Sequence, residues 1–214
     1  MNSQSSLQFD YLCILSLGVC GSSAEQLCCV NDQGSLAVYN IDHAKAGKSW
    51  SCDTKEPLTG LATLDHHLLL CSGEAEVKMW DTRQQAAPVM VLRDTSDRAA
   101  ASYSCVAVSG AGLVVAGTHQ LRDESYLLFW DTRQAGQLQG GYWDSHCDDI
   151  TSASFQADTA TLATGCTDGL VNILDLRQQD EDEALVTSLN TQDSVARVTW
   201  YQDSREDLTL TLNV

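Results

Sequence analysis

The sequence predicts an all-β chain built from repeated units of four antiparallel strands. Three segments end in nearly the same way, at Trp80-Asp81-Thr82-Arg83, Trp130-Asp131-Thr132-Arg133 and Leu174-Asp175-Leu176-Arg177, and a weaker copy ends at Tyr39-Asn40. The marker residues at positions 39, 80, 130 and 174 are separated by 41, 50 and 44 residues. This spacing, without any long stretch of helical periodicity, indicates repeats of one small β-sheet unit.

The fourth copy shows the strands of the unit most clearly. Alternating and short apolar runs predict its four strands at residues 150–155, 161–165, 170–174 and 184–189. Residues 156–159 and 166–169 are predicted to form the turns, because their Asp and Gly residues suit tight backbone geometry.

A four-stranded unit that recurs every 40–45 residues or so and ends its third strand in Trp-Asp resembles the WD40 repeat. The resemblance implies blades of a β-propeller. Blades are predicted at about residues 10–46, 52–93, 102–143 and 146–190, with a partial fifth blade at 193–214. A polar insertion at residues 118–125, between the second and third strands of the third blade, explains the 50-residue spacing.

Residues from about 117 to 200 resemble the family of WD repeat-containing protein 89 more narrowly. The similar segments are DESYLLFWDTR, SHCDDIT, TGCTDGLVNILDL and DEDEALVTSLN, and SVARVTW matches the first strand of a fifth blade. The resemblance implies a propeller that serves as a scaffold for other proteins and has no catalytic activity.

The predicted ring of blades is incomplete, with about four blades and a partial fifth. The family's propeller needs further blades after this point, whereas the sequence stops at Val214 in the second strand of blade five. The first copy also has little sequence before its second strand unless residues 11–16 supply a first strand. An open ring exposes apolar blade faces, so we expect this chain to self-associate, to misfold, or to represent a shortened form.

One set of residues matches the internal hydrogen-bond network of WD40 blades. In that family a His, a Ser or Thr, an Asp and the strand-three Trp are linked. The fourth blade offers His146, Thr164 and Asp168, but Leu174 replaces its Trp. Trp80 is accompanied by Glu74 at the Asp position, and Trp130 by an altered turn. The resemblance implies a structural role for these residues.

The Asp-x-Arg endings are candidates for docking a partner. They resemble the WDxR box of substrate receptors that bind the adaptor of cullin-RING ubiquitin ligases. An Arg beyond the third strand could offer a bidentate donor to an acidic partner. The alternative is a local ion pair at the rim of each blade. The candidate residues are Asp81, Arg83, Asp131, Arg133, Asp175 and Arg177.

The charge of the chain favours protein partners. Asp and Glu number 29 against 12 Lys and Arg, a net charge of −17, which opposes binding to nucleic acid or to anionic membranes. A general interaction scaffold is therefore the leading hypothesis, and an acidic binder of basic proteins is a further alternative. The acidic run at residues 180–183 is interpreted as solvated surface.

The nine cysteines predict neither disulfides nor a metal site. Their number is odd, no pair has C-x-x-C spacing, and most lie in apolar runs, so buried and reduced thiols are expected. Reduced thiols, and an N-terminus that resembles neither a signal peptide nor a membrane span, predict a cytoplasmic or nuclear protein without a cofactor.

Sequence motifs of enzymes are missing from the chain. It contains no H-E-x-x-H, G-x-S-x-G, Walker A or dinucleotide fingerprint. The adjacent pair His66-His67 is predicted to lie in a turn rather than to bind a metal ion. The chain is therefore predicted to be non-catalytic.

Overall fold

The computed structural model describes residues 16–20, 26–30, 33–40, 47–65, 67–73, 75–84, 87–96, 102–157, 160–202 and 208–213. Within these ranges the chain forms five antiparallel sheets in which each strand is hydrogen-bonded to the next in sequence. In the described part of the chain, no helix is long and apolar enough to cross a membrane.

The strands of each sheet follow the order of the chain. The first sheet contains β1 (Ser16–Cys20), β2 (Gln26–Val30), β3 (Ser35–Asn40) and β4 (Gly47–Asp53). The second contains β5 (Leu58–Thr63), β6 (Leu68–Gly73), β7 (Val77–Asp81) and β8 (Met90–Leu92). The third contains β9 (Tyr103–Val108), β10 (Leu113–Thr118), β11 (Ser125–Asp131) and β12 (Leu138–His146). The fourth contains β13 (Ile150–Phe155), β14 (Thr161–Cys166), β15 (Leu170–Asp175) and β16 (Leu185–Asn190), with the short helix α1 (Glu181–Ala184) before β16. The fifth contains β17 (Arg197–Gln202) and β18 (Leu208–Asn213).

Successive sheets pack side by side through their first strands. Strand β5 contacts β1 and β9, and β13 contacts β9 and β17, so the first strands surround a common centre. The sheets do not close into a ring. This arrangement confirms the prediction of an all-β chain of propeller blades in an incomplete ring.

The core lies between neighbouring blades. Strand β11 is buried over nearly its whole length because the second and fourth blades cover its two faces. A strand covered on both faces needs apolar residues in succession, and Leu127 and Leu128 are both almost fully buried. The polar sequence that follows each such strand then marks where the chain leaves the core.

The strand predictions for the fourth copy agree closely with the structure. The predicted first strand coincides with β13, and the second and third each extend one residue further. The first blade differs, because its first strand is β1 at Ser16–Cys20 rather than residues 11–16. Residues 11–15, Glu74, His66 and the turn residues 158–159 lie outside the described part of the chain.

The turns divide between two faces. Since neighbouring strands alternate in direction, the turns after the first and third strands of every blade lie on one face, called here the Asp–Arg face. The turns after the second and fourth strands lie on the opposite face, called here the insertion face because it carries residues 119–124.

Candidate functional site

Each predicted Asp–Arg motif forms a bidentate ion pair within itself. Arg83 donates from Nε and Nη2 to the two oxygens of Asp81 at 2.9 and 2.7 Å, and the backbone N–H of Arg83 also donates to Asp81. Arg133 holds Asp131 at 3.0 and 2.7 Å, and Arg177 holds Asp175 at 2.8 and 2.7 Å. One edge of each guanidinium is therefore already occupied by its own blade.

These ion pairs change the titration of the carboxylates. The hydrogen bonds from the Arg side chains, followed by those from the backbone N–H groups, lower the pKa of Asp81 and of Asp131 to about 2. The same contacts lower the pKa of Asp175. All three carboxylates therefore remain ionised over the whole physiological range of pH.

The three guanidinium groups remain open to solvent. The side chains of Arg83, Arg133 and Arg177 are 63, 74 and 77% exposed. Their paired Asp side chains are 7, 13 and 18% exposed and thus anchor the Arg side chains to the blades. The structure places one such pair on the Asp–Arg face of each of three consecutive blades, and a docking role for them stays a prediction.

The fourth blade brings together the three residues that resemble the WD40 network. The ring Nε2 of His146 lies 2.8 Å from Oγ1 of Thr164. Its Nδ1 lies 3.9 Å from Oδ2 of Asp168, beyond hydrogen-bond distance, and is buried without a partner among the described residues. The set therefore contains one good hydrogen bond and one open position.

The tryptophans of the other blades do not join equivalent networks. Trp130 donates from its indole N–H to the backbone carbonyl of Arg93 at 3.1 Å. The indole N–H of Trp80 is buried and faces the Cys52 sulphur, a weak acceptor, without an ordinary hydrogen bond. The strand registers explain the difference, because Cys71 and Ala116 occupy the positions that correspond to Thr164.

Two further polar residues of the fourth blade were not identified from the sequence. Asn172 is buried, donates to the carbonyl of Ser145 at 2.7 Å and accepts from the Ser188 hydroxyl at 2.6 Å. Glu181 accepts hydrogen bonds from the backbone N–H groups of Trp143 and Asp144. The one available signal for Asn172 was a lone polar residue between apolar neighbours in a predicted strand.

The acidic run is thus only partly solvated surface. The interpretation is wrong for Glu181, whose carboxylate joins α1 to the outer strand of the third blade. It holds for Asp182 and Glu183, which are exposed. Asp180 caps α1 by accepting from the N–H groups of both of these residues.

The insertion forms an ordered tight turn. Residues 119–124 are closed by a bridge between Leu121 and Glu124, with Arg122 and Asp123 at positive φ. Asp149, in the turn before the fourth blade, accepts from the backbone N–H of Gln120 at 2.7 Å and lies 3.1 Å from His119 Nδ1. These bonds fix the insertion against the next blade and hold its tip in solvent.

The described cysteines are free thiols, as the sequence predicts. Cys28, Cys29, Cys71, Cys105 and Cys166 are buried and Cys52 is partly buried. Cys147 departs from the prediction because it is exposed, on the insertion face beside Asp168. Burial raises the pKa of the Cys166 thiol to about 12, so by itself that thiol stays protonated.

Comparison with known proteins places this geometry in a family. The profile of the family described as "Nucleolar protein 10-like, N-terminal domain", a β-propeller domain, matches residues 17–213. The chain belongs to this family. The nucleolar protein 10-like match covers all five sheets, including the two strands of the partial fifth blade.

Curated relatives of this nucleolar protein 10-like chain are also WD-repeat proteins. A WD repeat-containing protein of Schizosaccharomyces pombe is 27% identical over 71% of the chain and 52% of its own length. One of Saccharomyces cerevisiae is 35% identical over 37% of the chain and 21% of its own length. The WD repeat-containing protein 89 homolog of Dictyostelium discoideum is 25% identical over 63% of the chain and 34% of its own length. The chain therefore spans about half the length of the first of these relatives and less of the others.

The family assignment supports the coarse functional prediction. WD-repeat propellers typically act as platforms for protein partners and are typically non-catalytic. The likeness extends to the WD repeat-containing protein 89 homolog, as the sequence resemblance implies. The nucleolar protein 10-like chain is accordingly a WD-repeat scaffold, and the identity of its partners must be argued from its surface.

Proposed function

We propose that this scaffold binds basic segments of partner proteins on its insertion face. The observation that carries the proposal is the way its few cations are used. Lys78 is paired with Glu56 at 2.6 Å and with Glu76 at 3.3 Å, and Arg93 is also paired with Glu76. On this face the cations are thus consumed by carboxylates within one blade.

Further carboxylates then give the insertion face its field. Around the third and fourth blades they are Asp123, Glu124, Asp148, Asp149, Asp168 and Asp193. Arg122 is the cation that the described turns place among them. A rigid surface with excess negative charge attracts basic ligands and repels nucleic acid, in the sense of the net charge of −17.

The family description supports a setting for such a partner. It contains the word nucleolar, and we extend the proposal to a nuclear, nucleolar address. Proteins that bind nucleic acid carry clusters of Lys and Arg, so a nucleolar scaffold with an acidic face meets many basic segments. The cytoplasmic alternative predicted from the reduced thiols is tested by the same localisation experiment, which is imaging of the tagged full-length protein.

Two adjacent acidic pairs allow a matched test of the binding face. Asp123 and Glu124 lie on the insertion face, whereas Asp182 and Glu183 lie on the Asp–Arg face. We expect Asp123→Asn with Glu124→Gln to weaken binding of a labelled arginine-rich peptide about fivefold at low salt, since two exposed charge contacts are lost. Fluorescence anisotropy measures this change.

The control keeps the net charge equal. Asp182→Asn with Glu183→Gln removes the same number of charges from the opposite face, and we expect it to leave peptide binding within about a factor of two. Binding should also weaken strongly at about 0.5 M salt, because exposed charges are then screened. Equal weakening by both double variants, or indifference to salt, would contradict the proposal.

A second candidate function is that of a substrate receptor of a cullin-RING ubiquitin ligase. The observation that favours it is the row of three exposed, Asp-braced guanidinium groups on one face. A cavity of about 750 Å³ beside Arg133, lined also by Leu113 and Phe155, offers a place for a partner side chain between the third and fourth blades.

This candidate predicts a specific loss of one partner. We expect Arg83→Ala with Arg133→Ala to abolish co-purification with the cullin adaptor, because the free edges of both guanidinium groups disappear. The matched control is Arg93→Ala with Arg122→Ala, which removes two arginines from the insertion face. Adaptor binding that survives the first double variant would exclude the WDxR role.

A further inference from the structure

We propose that the insertion face of the fourth blade contains a zinc site formed by His146, Cys147, Cys166 and Asp168. These residues come from three segments of the chain. His146 ends β12 and Cys147 follows it, Cys166 ends β14, and Asp168 lies in the next turn. Nineteen residues separate the two cysteines, so C-x-x-C spacing could not reveal the site.

The atoms that could bind a metal ion lie close together. His146 Nδ1, Cys166 Sγ and the Asp168 carboxylate are all within 4.8 Å of one another. Cys147 Sγ lies 3.6 Å from Asp168 Oδ2, and His146 Nδ1 lies 3.9 Å from the same oxygen. Ligands of a tetrahedral zinc ion, with bonds of about 2.0–2.3 Å, are separated from one another by about 3.3–3.8 Å. The two measured separations are close to this range.

The buried imidazole points to a cation at this position. The His146 side chain is fully buried, and its Nδ1 has no hydrogen-bond partner among the described residues. If Nε2–H donates to Thr164, the lone pair of Nδ1 faces a carboxylate and a sulphur atom. Three electron-pair donors then converge, which is unfavourable unless a cation lies between them.

The surroundings of Cys166 also favour a bound thiolate. Its Sγ accepts from the backbone N–H of Asp168 at 3.5 Å, and the backbone N–H of Asp148 contributes a second hydrogen bond. Such hydrogen bonds stabilise negative charge on sulphur. Thr164 holds the other side of the imidazole at 2.8 Å, which is the outer contact that orients a metal-binding His.

The ligand types select the metal. One imidazole, two thiols and one carboxylate suit Zn²⁺, whereas Mg²⁺ and Ca²⁺ require oxygen ligands. Binding would release the thiol protons to solvent, because the thiolate is the ligand. The ion would join the third blade, which supplies His146 and Cys147, to the fourth blade, which supplies the other two ligands. We therefore expect a structural site.

Cobalt titration tests the proposal directly. The purified full chain is treated with a chelator in reducing buffer and then titrated with Co²⁺, whose thiolate complexes absorb strongly in the near ultraviolet. We expect saturation at about one Co²⁺ per chain, with the absorption removed by competing Zn²⁺. Zn²⁺ should also raise the thermal midpoint of the untreated sequence, a measurement that needs no variant.

Variants identify the ligands and exclude adventitious binding. Cys166→Ser should abolish the charge-transfer band, and Cys147→Ser should weaken it, because one of two thiolates is lost. Cys52→Ser in β4 lies outside the cluster and should leave the titration unchanged. Circular dichroism before each titration establishes that the variants are folded. Absence of a saturable band in the folded wild-type chain, or an unchanged band in Cys166→Ser, would overturn the proposal.

Discussion

Replacement of Trp130 by Ala should lower the free energy of unfolding by about 3–5 kcal/mol. Trp130 is fully buried between the second and third blades, where it packs with Leu70 and Met79. Its ring meets Tyr103 edge to face with centroids 6.0 Å apart. The variant loses this contact area and leaves a cavity, and the carbonyl of Arg93 loses its donor.

The effect is large relative to the whole stability of the domain. Typical domains are stable by about 5–15 kcal/mol, so the variant should unfold at much lower urea concentration. Trp143→Ala is the matched control, because Trp143 is only partly buried, and it should cost clearly less. Trp130→Phe should cost an intermediate amount, since it keeps an aromatic ring but loses the indole N–H. Urea denaturation followed by circular dichroism measures all three, and equal losses for the two alanine variants would contradict the assignment.

Replacement of Glu181 by Ala should destabilise the chain by about 2–3 kcal/mol. The Glu181 carboxylate accepts from the backbone N–H groups of Trp143 and Asp144 at 2.5 and 3.0 Å and from the Ser145 hydroxyl. Hydrogen bonds to a charged acceptor are stronger than neutral ones, and their loss leaves partly buried donors without partners. The contact also joins the third blade to the fourth.

The neighbouring acidic residue provides the control. Glu183 belongs to the same short helix but is exposed, so Glu183→Ala should change the free energy of unfolding by less than about 0.5 kcal/mol. Glu181→Gln should recover only part of the stability, because a neutral amide oxygen accepts less strongly and its NH₂ group cannot accept from the other donors. A similar loss for the Glu181 and Glu183 variants would show that the run acts only through its net charge.

The sequence was sufficient for the fold because the repeat is local. The Trp-Asp-Thr-Arg endings and the short apolar runs lie within 40–50 residues of each other, and each blade is one antiparallel meander. The Asp-x-Arg pairs were also predictable, since residues two apart in a turn reach each other without help from distant segments. The strands of the fourth blade could be placed to within a residue or two for the same reason.

The functional details were less predictable because they depend on contacts between blades. Residues 180–183 look alike in sequence, yet only Glu181 meets backbone donors, and these belong to a strand almost 40 residues earlier. The insertion looked like a solvated loop, but Asp149 of the following turn binds it. Neither contact leaves a local pattern, since both partners are ordinary polar residues in turns.

By itself, the sequence determined the blade repeat, the Asp–Arg motif of each blade and the excess of negative charge. Only the tertiary structure decided which polar residues act together, and above all that His146, Cys166 and Asp168 converge in one place. The physical reason is that periodicity records which face of a strand is buried, whereas a site is made by side chains from separate segments. Their proximity is set by the packing of one blade against the next.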